Sequence, residues 1–425
     1  MKEIKLFLSQ PRNTRILLLT SLLYALVLPV VDIFVAAYIM RNSADVARVV
    51  IYQLTVYTGI PLTFLFNGYL LNKIKPGVLY AAGMLLSGVS MLVMTSLPEL
   101  SYTGIGVAGL IMGMSFGLFW SNRDYLVLVS TTDDNRNYYY GLETFFNTIT
   151  FVVIPVSVGW FIQYADKISW LDSKNEAYRI IIYAVILITI CSSLLILKGK
   201  YKKPEHRKFL YFKFHPLWNK MILMAVCKGL VQGFIVTAPA MLIMKLVGEE
   251  GALGTIQSIS SLVTAFIMYL IGRMAKPKDR LKVYALAVLL FVVGALINSV
   301  WFNASSVLVF LLCMIIARPL FDLAYFPIQM RVIDFLSPIE QRNEYAYILN
   351  HEWGLYIGRF IGCGTFIALA YLVSDTAALV ITLPVVTILQ ALSWFVAKAI
   401  LKQIGRLEPA EKTIHGEVLL KPVNG

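Results

Sequence analysis

A small set of ionisable side chains lies in stretches that are otherwise almost wholly apolar: Asp32, Arg123, Asp124, Glu143, Lys228, Arg318, Asp322, Arg331, His351, Glu352 and Arg359. In hydrocarbon each would cost at least about 2.5–3.5 kcal/mol, so each needs a partner or water. Arg318 and Asp322 are spaced i, i+4 around Pro319, which puts them on one helix face about 6 Å apart, and they are expected to pair. An aspartate whose arginine is drawn off by an anionic solute can take up a proton, a chemistry that couples the two movements. The other reading is an ion pair that only makes Arg318 tolerable. Arg123 and Glu143 lie roughly 9–12 Å inside their helices on either side of a short connection, and are expected to form a gate or helix clamp. Arg331 with Glu352 is the expected counterpart in the second half.

Asp32 follows Pro29 and suits capture of a cation or proton, or else a hydrogen-bonded place at a helix end. Lys228 and Gln232 share a face, with Lys228 near enough to a helix end to snorkel. His351 and Glu352 are neighbours, about 100° apart on a helix, so they cannot both face one cavity. The candidate substrate contacts are Asp32, Trp120, Asn122, Arg123, Tyr125, Lys228, Gln232, Arg318, Asp322 and Tyr325, the aromatic members forming walls beside the charges. Asp32, Asp322 and Glu352 are the candidates for proton coupling. There is no Gly-rich phosphate loop, no nucleophile elbow and no His/Cys/carboxylate run at metal spacing. The four cysteines lie far apart in apolar stretches. The expectation is a chain that is not an enzyme and needs no metal or cofactor.

What must position these groups follows from composition. Of 425 residues, 58% are hydrophobic and 14% charged, with a formal net charge of +13. A water-soluble domain needs roughly a quarter of its residues charged, so the solvent is lipid, and helices are the elements that close their own hydrogen bonds there. Apolar runs of spanning length fall near 16–40, 49–71, 77–97, 103–130, 138–165, 178–197, 220–246, 252–273, 282–302, 305–335, 344–373 and 377–400. With both termini on one side, roughly 26 Lys and Arg fall on that side and roughly 6 opposite, so the termini are expected in the cytoplasm of a multi-pass protein of the plasma membrane, a bacterial inner membrane. That distribution also accounts for the net charge without nucleic acid as a partner. The basic Lys198–Lys208 stretch is read as a topogenic loop that touches lipid.

The expected division is a six-helix bundle over 1–197, a linker over 198–219, a second bundle over 220–402 and a cytoplasmic tail over 403–425. Arg136-Asn137 recurs as Arg342-Asn343 about 206 residues later, Thr14 aligns with Lys220 at the same offset, and Lys75-Pro76 recurs as Lys276-Pro277 about 201 residues on. These offsets imply two parallel six-helix repeats in an all-α membrane fold. Gly109, Gly113 and Gly117, and again Gly354, Gly358 and Gly362, form small-residue stripes on which helices can approach and slide.

Six plus six spans, a basic central loop and the stretch Gly68-Tyr-Leu-Leu-Asn72-Lys73 resemble the major facilitator superfamily over nearly the whole chain. Asn72 replaces the acid usual in that motif, and Gly272-Arg273 begins a degenerate second copy. Ile154, Pro155 and Gly159 retain only part of the drug-antiporter signature, which argues against multidrug export. The segments Phe119–Tyr125 and Asn135–Glu143 look like a YqgE-like branch. The resemblance implies a central cavity lined by spans one, four, seven and ten, and transport by rocking of the bundles. Its expected partners are a small organic solute, anionic or zwitterionic, protons and membrane lipid, with the chain a monomer. A lipid or lysolipid flippase and a non-transporting membrane sensor are the alternatives on the same scaffold.

Overall fold

A computed structural model describes residues 2–131, 133–165, 171–202, 210–246, 248–274, 279–342 and 344–419. Among these residues twelve helices are long and apolar enough to cross a bilayer. They are α1 (Arg12–Ser43), α2 (Val46–Leu70), α3 (Pro76–Ser96), α4 (Tyr102–Val127), α5 (Tyr138–Tyr164) and α6 (Lys174–Ile196). The second six are α7 (Pro216–Leu246), α8 (Glu250–Leu270), α9 (Arg280–Trp301), α10 (Ala304–Glu340), α11 (Glu344–Leu372) and α12 (Asp375–Leu407). Each overlaps a run read from hydropathy. Most of the basic Lys198–Lys208 stretch, Lys276-Pro277 and Asn343 lie outside the described residues.

The ends of these helices are written locally. Asp45 caps α2 by accepting from the Ala47 and Arg48 amides at 2.9 and 3.4 Å, and Ser101, Ser173 and Ser374 cap α4, α6 and α12. Asn303 and Ser306 form a reciprocal capping box on α10. All five caps fall on the face that carries the α1–α2 loop, called here the first-loop face. On the opposite, termini face, Pro76 and Pro216 open α3 and α7, where a missing amide costs nothing.

Within the first half α2 packs on α4, α3 on α4 and α6, and α1 on α6; within the second, α7 packs on α11 and α9 on α10 and α12. The halves meet through α2 with α11 and α5 with α8. Advancing each number by six turns one contact into the other, as two parallel repeats require. The glycine stripes act inside a bundle. Gly109, Gly113 and Gly117 press on α2, where a Cβ on Gly59 would stand 2.8 Å from the Gly113 Cα, and Gly354, Gly358 and Gly362 press on α7. Backbones this close lock a bundle into one body; the sliding surface expected of them is not where they lie.

Among the described residues three helices are interrupted: α12 at the single residue Leu392, and α1 and α7 by longer breaks that are repeat equivalents. In α1 the helix ends at Ala25 and resumes through a π-helical turn, Val30–Phe34, behind Pro29. In α7 it breaks between Ile235 and Ala238, ahead of Pro239. Proline removes an amide and clashes with the preceding turn, and π-turns concentrate at functional positions. Asp32 sits on the π-turn of α1.

Candidate functional site

The break in α1 aims one side chain inward. Val30, Val31, Ile33 and Phe34 are buried, whereas Asp32 between them is exposed. Arg318, on α10 of the other bundle, is also exposed, and its charge acts on Asp32. The two groups are therefore within electrostatic reach of one another although they belong to opposite bundles. Among the described residues neither forms an ion pair within 4.0 Å.

The expected Arg318–Asp322 pair is therefore corrected. Asp322 takes Lys228 of α7, at 2.8 Å. Same-helix spacing brought Arg318 within reach, but a contact between helices supplied a better-placed cation. Lys228 does not snorkel: only 11% of its side chain is exposed, and its ammonium sits 4.0 Å from the Phe326 ring centroid and 4.3 Å from that of Tyr325. These cation–π contacts replace part of the hydration lost on burial. Lys228, Asp322, Arg318 and Gln232 border a cavity of about 120 Å³ whose other walls include Ile235, Phe291 and Phe321.

Behind it lies a second paired charge. The Arg359 guanidinium of α11 donates to the Gln232 side-chain oxygen at 2.9 and 3.2 Å, lies 4.6 Å from the Tyr57 ring centroid and reaches Glu352 at 3.6 Å. Tyr57, from α2 of the first bundle, donates to the Gln232 carbonyl at 2.9 Å, near the break in α7. Glu352 thus takes Arg359, and among the described residues the salt bridge expected between it and Arg331 is not formed. The cause is again helical: positions seven apart on α11 share a face. His351 is buried and its Nε2 lies 2.6 Å from the Tyr325 hydroxyl. Tyr325 is fully buried behind Lys228, so it backs the site and offers a solute no surface.

On α4 the structure sorts the expected contacts differently. Arg123 pairs with Glu143 of α5 through two nitrogens and also reaches Asp124 at 2.7 Å. Both helices belong to the first bundle, so this pair fastens that bundle. Asn122 is fully buried and donates to Asn67 of α2 at 2.8 Å, which removes it from any solute contact. Tyr125 donates to the Lys202 carbonyl on the termini face, so its place is at the linker. Trp120 is exposed, 5.8 Å from the Arg123 guanidinium.

One buried charge between the bundles was not anticipated. Glu250 opens α8 with its side chain wholly buried, 2.5 Å from Arg41 at the end of α1 and 3.4 Å from Lys174 at the start of α6. Beside it Gln163 of α5 donates to Glu249 at 2.8 Å, Trp160 donates to Thr255 at 3.1 Å, and Gly159 faces Gly254. This network joins three helices of the first bundle to α8 on the first-loop face. Toward the termini face the same two helices expose Phe145, and Leu262, Phe266 and Tyr269, at 58–63%. In sequence Glu249-Glu250 reads as a polar turn; only the two cations facing it, Arg41 and Lys174 at other helix ends, hinted at more.

Twelve spans in two six-helix bundles, joined by equivalent contacts, define a polytopic membrane protein built from two parallel repeats. The sequence agrees: residues 16–362 match the Major Facilitator Superfamily, and the chain belongs to that family. It is 22% identical over 383 residues to the YqgE protein of Bacillus subtilis strain 168, covering 89% of this chain and 87% of that one, consistent with a YqgE-like branch. The crystal structure of the nucleoside transporter NupG superposes with a TM-score of 0.68 at 12% identity, over 92% of this chain and 100% of that one. A bacterial homologue of the iron transporter ferroportin, in an inward-facing state, gives 0.61 at 16% identity, over 89% and 98%. At such identities the likeness is one of fold.

Proposed function

We propose that the chain is a secondary active transporter that moves a small organic solute across the plasma membrane by alternating access, as a monomer with both termini in the cytoplasm. The observation that carries this reading is the electrostatic reach of Asp32 and Arg318 across the two bundles, which Glu250 ties together on the first-loop face through Arg41 and Lys174. A solute bound there touches both bundles, so its binding energy can differ between the two rocked states, and only such a difference shifts the equilibrium between them. The family and the fold neighbours support the carrier class. The excess of Lys and Arg on the termini face supports the orientation, which makes the present arrangement inward-facing.

Proton coupling runs through Asp32 and Asp322 in this reading. Among the described residues Asp32 has no cation within 4.0 Å, and Asp322 holds Lys228. A proton on either changes which charges a solute must satisfy. Reconstitution into proteoliposomes with an internal pH-sensitive dye tests it. Solute entry should acidify or alkalinise the lumen, and Asp32→Asn should uncouple the two fluxes. Counterflow with no pH response would leave a uniporter, and absence of counterflow for every solute tried, with intact binding, would leave a sensor.

A further inference from the structure

We infer that the solute is a zwitterionic α-amino acid whose aromatic side chain carries a hydrogen-bond donor at its edge. This rests on the carrier reading and sharpens it. In the central space Lys228 is matched by Asp322 and Arg359 by Glu352. Asp32 and Arg318, in opposite bundles, carry one charge of each sign without such a match among the described residues. Both are exposed and within electrostatic reach of each other, yet among the described residues neither has an ion pair within 4.0 Å. A solute lying between them with an ammonium toward Asp32 and a carboxylate toward Arg318 satisfies both, the second through the paired N–H geometry that arginine offers a carboxylate. A solute with one charge leaves the opposite protein charge uncompensated as the cavity closes and loses water. A neutral solute leaves both.

The side chain has a place as well. Arg318 borders the 120 Å³ cavity, whose apolar wall is Val231, Ile235, Phe291, Phe321 and Phe326. A cavity of about 150 Å³ in another protein holds benzene, so one aromatic ring is the right scale. Gln390 also lines this cavity; it is 2% exposed and its side-chain oxygen has no hydrogen-bond partner. A buried acceptor left alone is unfavourable, and an O–H at the edge of a single ring, as in tyrosine, would satisfy it.

The test is a matched set of probes on the purified full-length protein, read by calorimetry and thermal shift: L-tyrosine, tyramine and 3-(4-hydroxyphenyl)propionate. Tyrosine should bind at least tenfold more tightly than either singly charged analogue. Asp32→Asn should reduce it to the level of 3-(4-hydroxyphenyl)propionate, Arg318→Gln to that of tyramine, and Gln390→Leu should weaken tyrosine while sparing phenylalanine. Analogues that match tyrosine on the native chain, or no binding by any of the three, overturn the proposal whatever the variants do. Counterflow of uridine, choline or lactate in liposomes, with no response to the tyrosine set, overturns the amino-acid assignment and leaves the carrier standing. Tight tyrosine binding without counterflow keeps the ligand and removes the carrier.

Discussion

The latch on the first-loop face gives the most direct test of how the bundles move. Glu250→Gln preserves size and hydrogen-bonding atoms but removes a wholly buried negative charge that holds both Arg41 and Lys174. Breaking a fully buried pair costs about 3–5 kcal/mol. Here Arg41 is 29% exposed and Lys174 17%, so water screens part of the loss, and about 1–3 kcal/mol is the reasonable range. That penalty falls on the closed first-loop face alone, because the contacts exist only there, and it shifts the two-state equilibrium about 5- to 150-fold toward opening. Spin labels at Ala44→Cys and Lys245→Cys, with the four native cysteines replaced by alanine, report the separation of the bundles at that face. The distance distribution should gain a longer component in Glu250→Gln. Glu143→Gln, which removes the partner of Arg123 inside one bundle, should leave it unchanged. Identical distributions for Glu250→Gln and the parent, or an equal opening in Glu143→Gln, would refute the assignment of the latch.

Other expectations follow from the same contacts. Gly113→Leu should abolish the monodisperse peak in fluorescence-detected size exclusion, since a Cβ there would overlap the Val56 carbonyl oxygen, whereas Gly141→Ala, with nothing within 4 Å, should be silent. Lys228→Met leaves Asp322 unpaired and should lower stability by about 1–3 kcal/mol, the 31% exposure of Asp322 tempering the cost; adding Asp322→Leu should recover most of it in a thermal melt without restoring transport. Tyr57→Phe removes one hydrogen bond to the Gln232 carbonyl, worth about 0.5–1.5 kcal/mol, and should loosen the contact of α2 with α7 detectably by hydrogen exchange.

The spans were legible because hydropathy over twenty residues is a local property, and so was the Arg123–Glu143 pair, whose depths follow from counting residues along two adjacent helices. The identity of the helices that carry charge was legible for the same reason. What sequence could not supply was azimuth. Asp322 reads as the partner of Arg318 because i, i+4 spacing is visible in one dimension, while Lys228, 94 positions away, is invisible until α7 lies beside α10. Tyr325 and Asn122 look like cavity residues from their neighbours, and each proves to face a helix contact instead. Glu250 was missed because a carboxylate at a helix start is ordinarily a solvated one. The proline breaks were the unused clue: Pro29 falls near the middle of α1 and Pro239 in the last third of the equivalent α7, and discontinuous helices are a general pointer to binding sites in transporters.

How charge is divided between paired and unpaired states also constrains the cycle. Lys228–Asp322, Arg359–Glu352 and Arg123–Glu143 each lie within one bundle, so none needs to break when the bundles rock. Arg41–Glu250 and Lys174–Glu250 cross between bundles and must break if the bundles part at the first-loop face. The Tyr57–Gln232 bond crosses too, but near the level of the helix breaks, where rotation about that level moves atoms least. In the proposed cycle an empty carrier has to lose the Glu250 contacts in order to open at that face, which biases it toward the closed arrangement. A solute can offset that bias only by interactions it makes better in the opened state, and in the proposal Asp32 and Arg318 supply them.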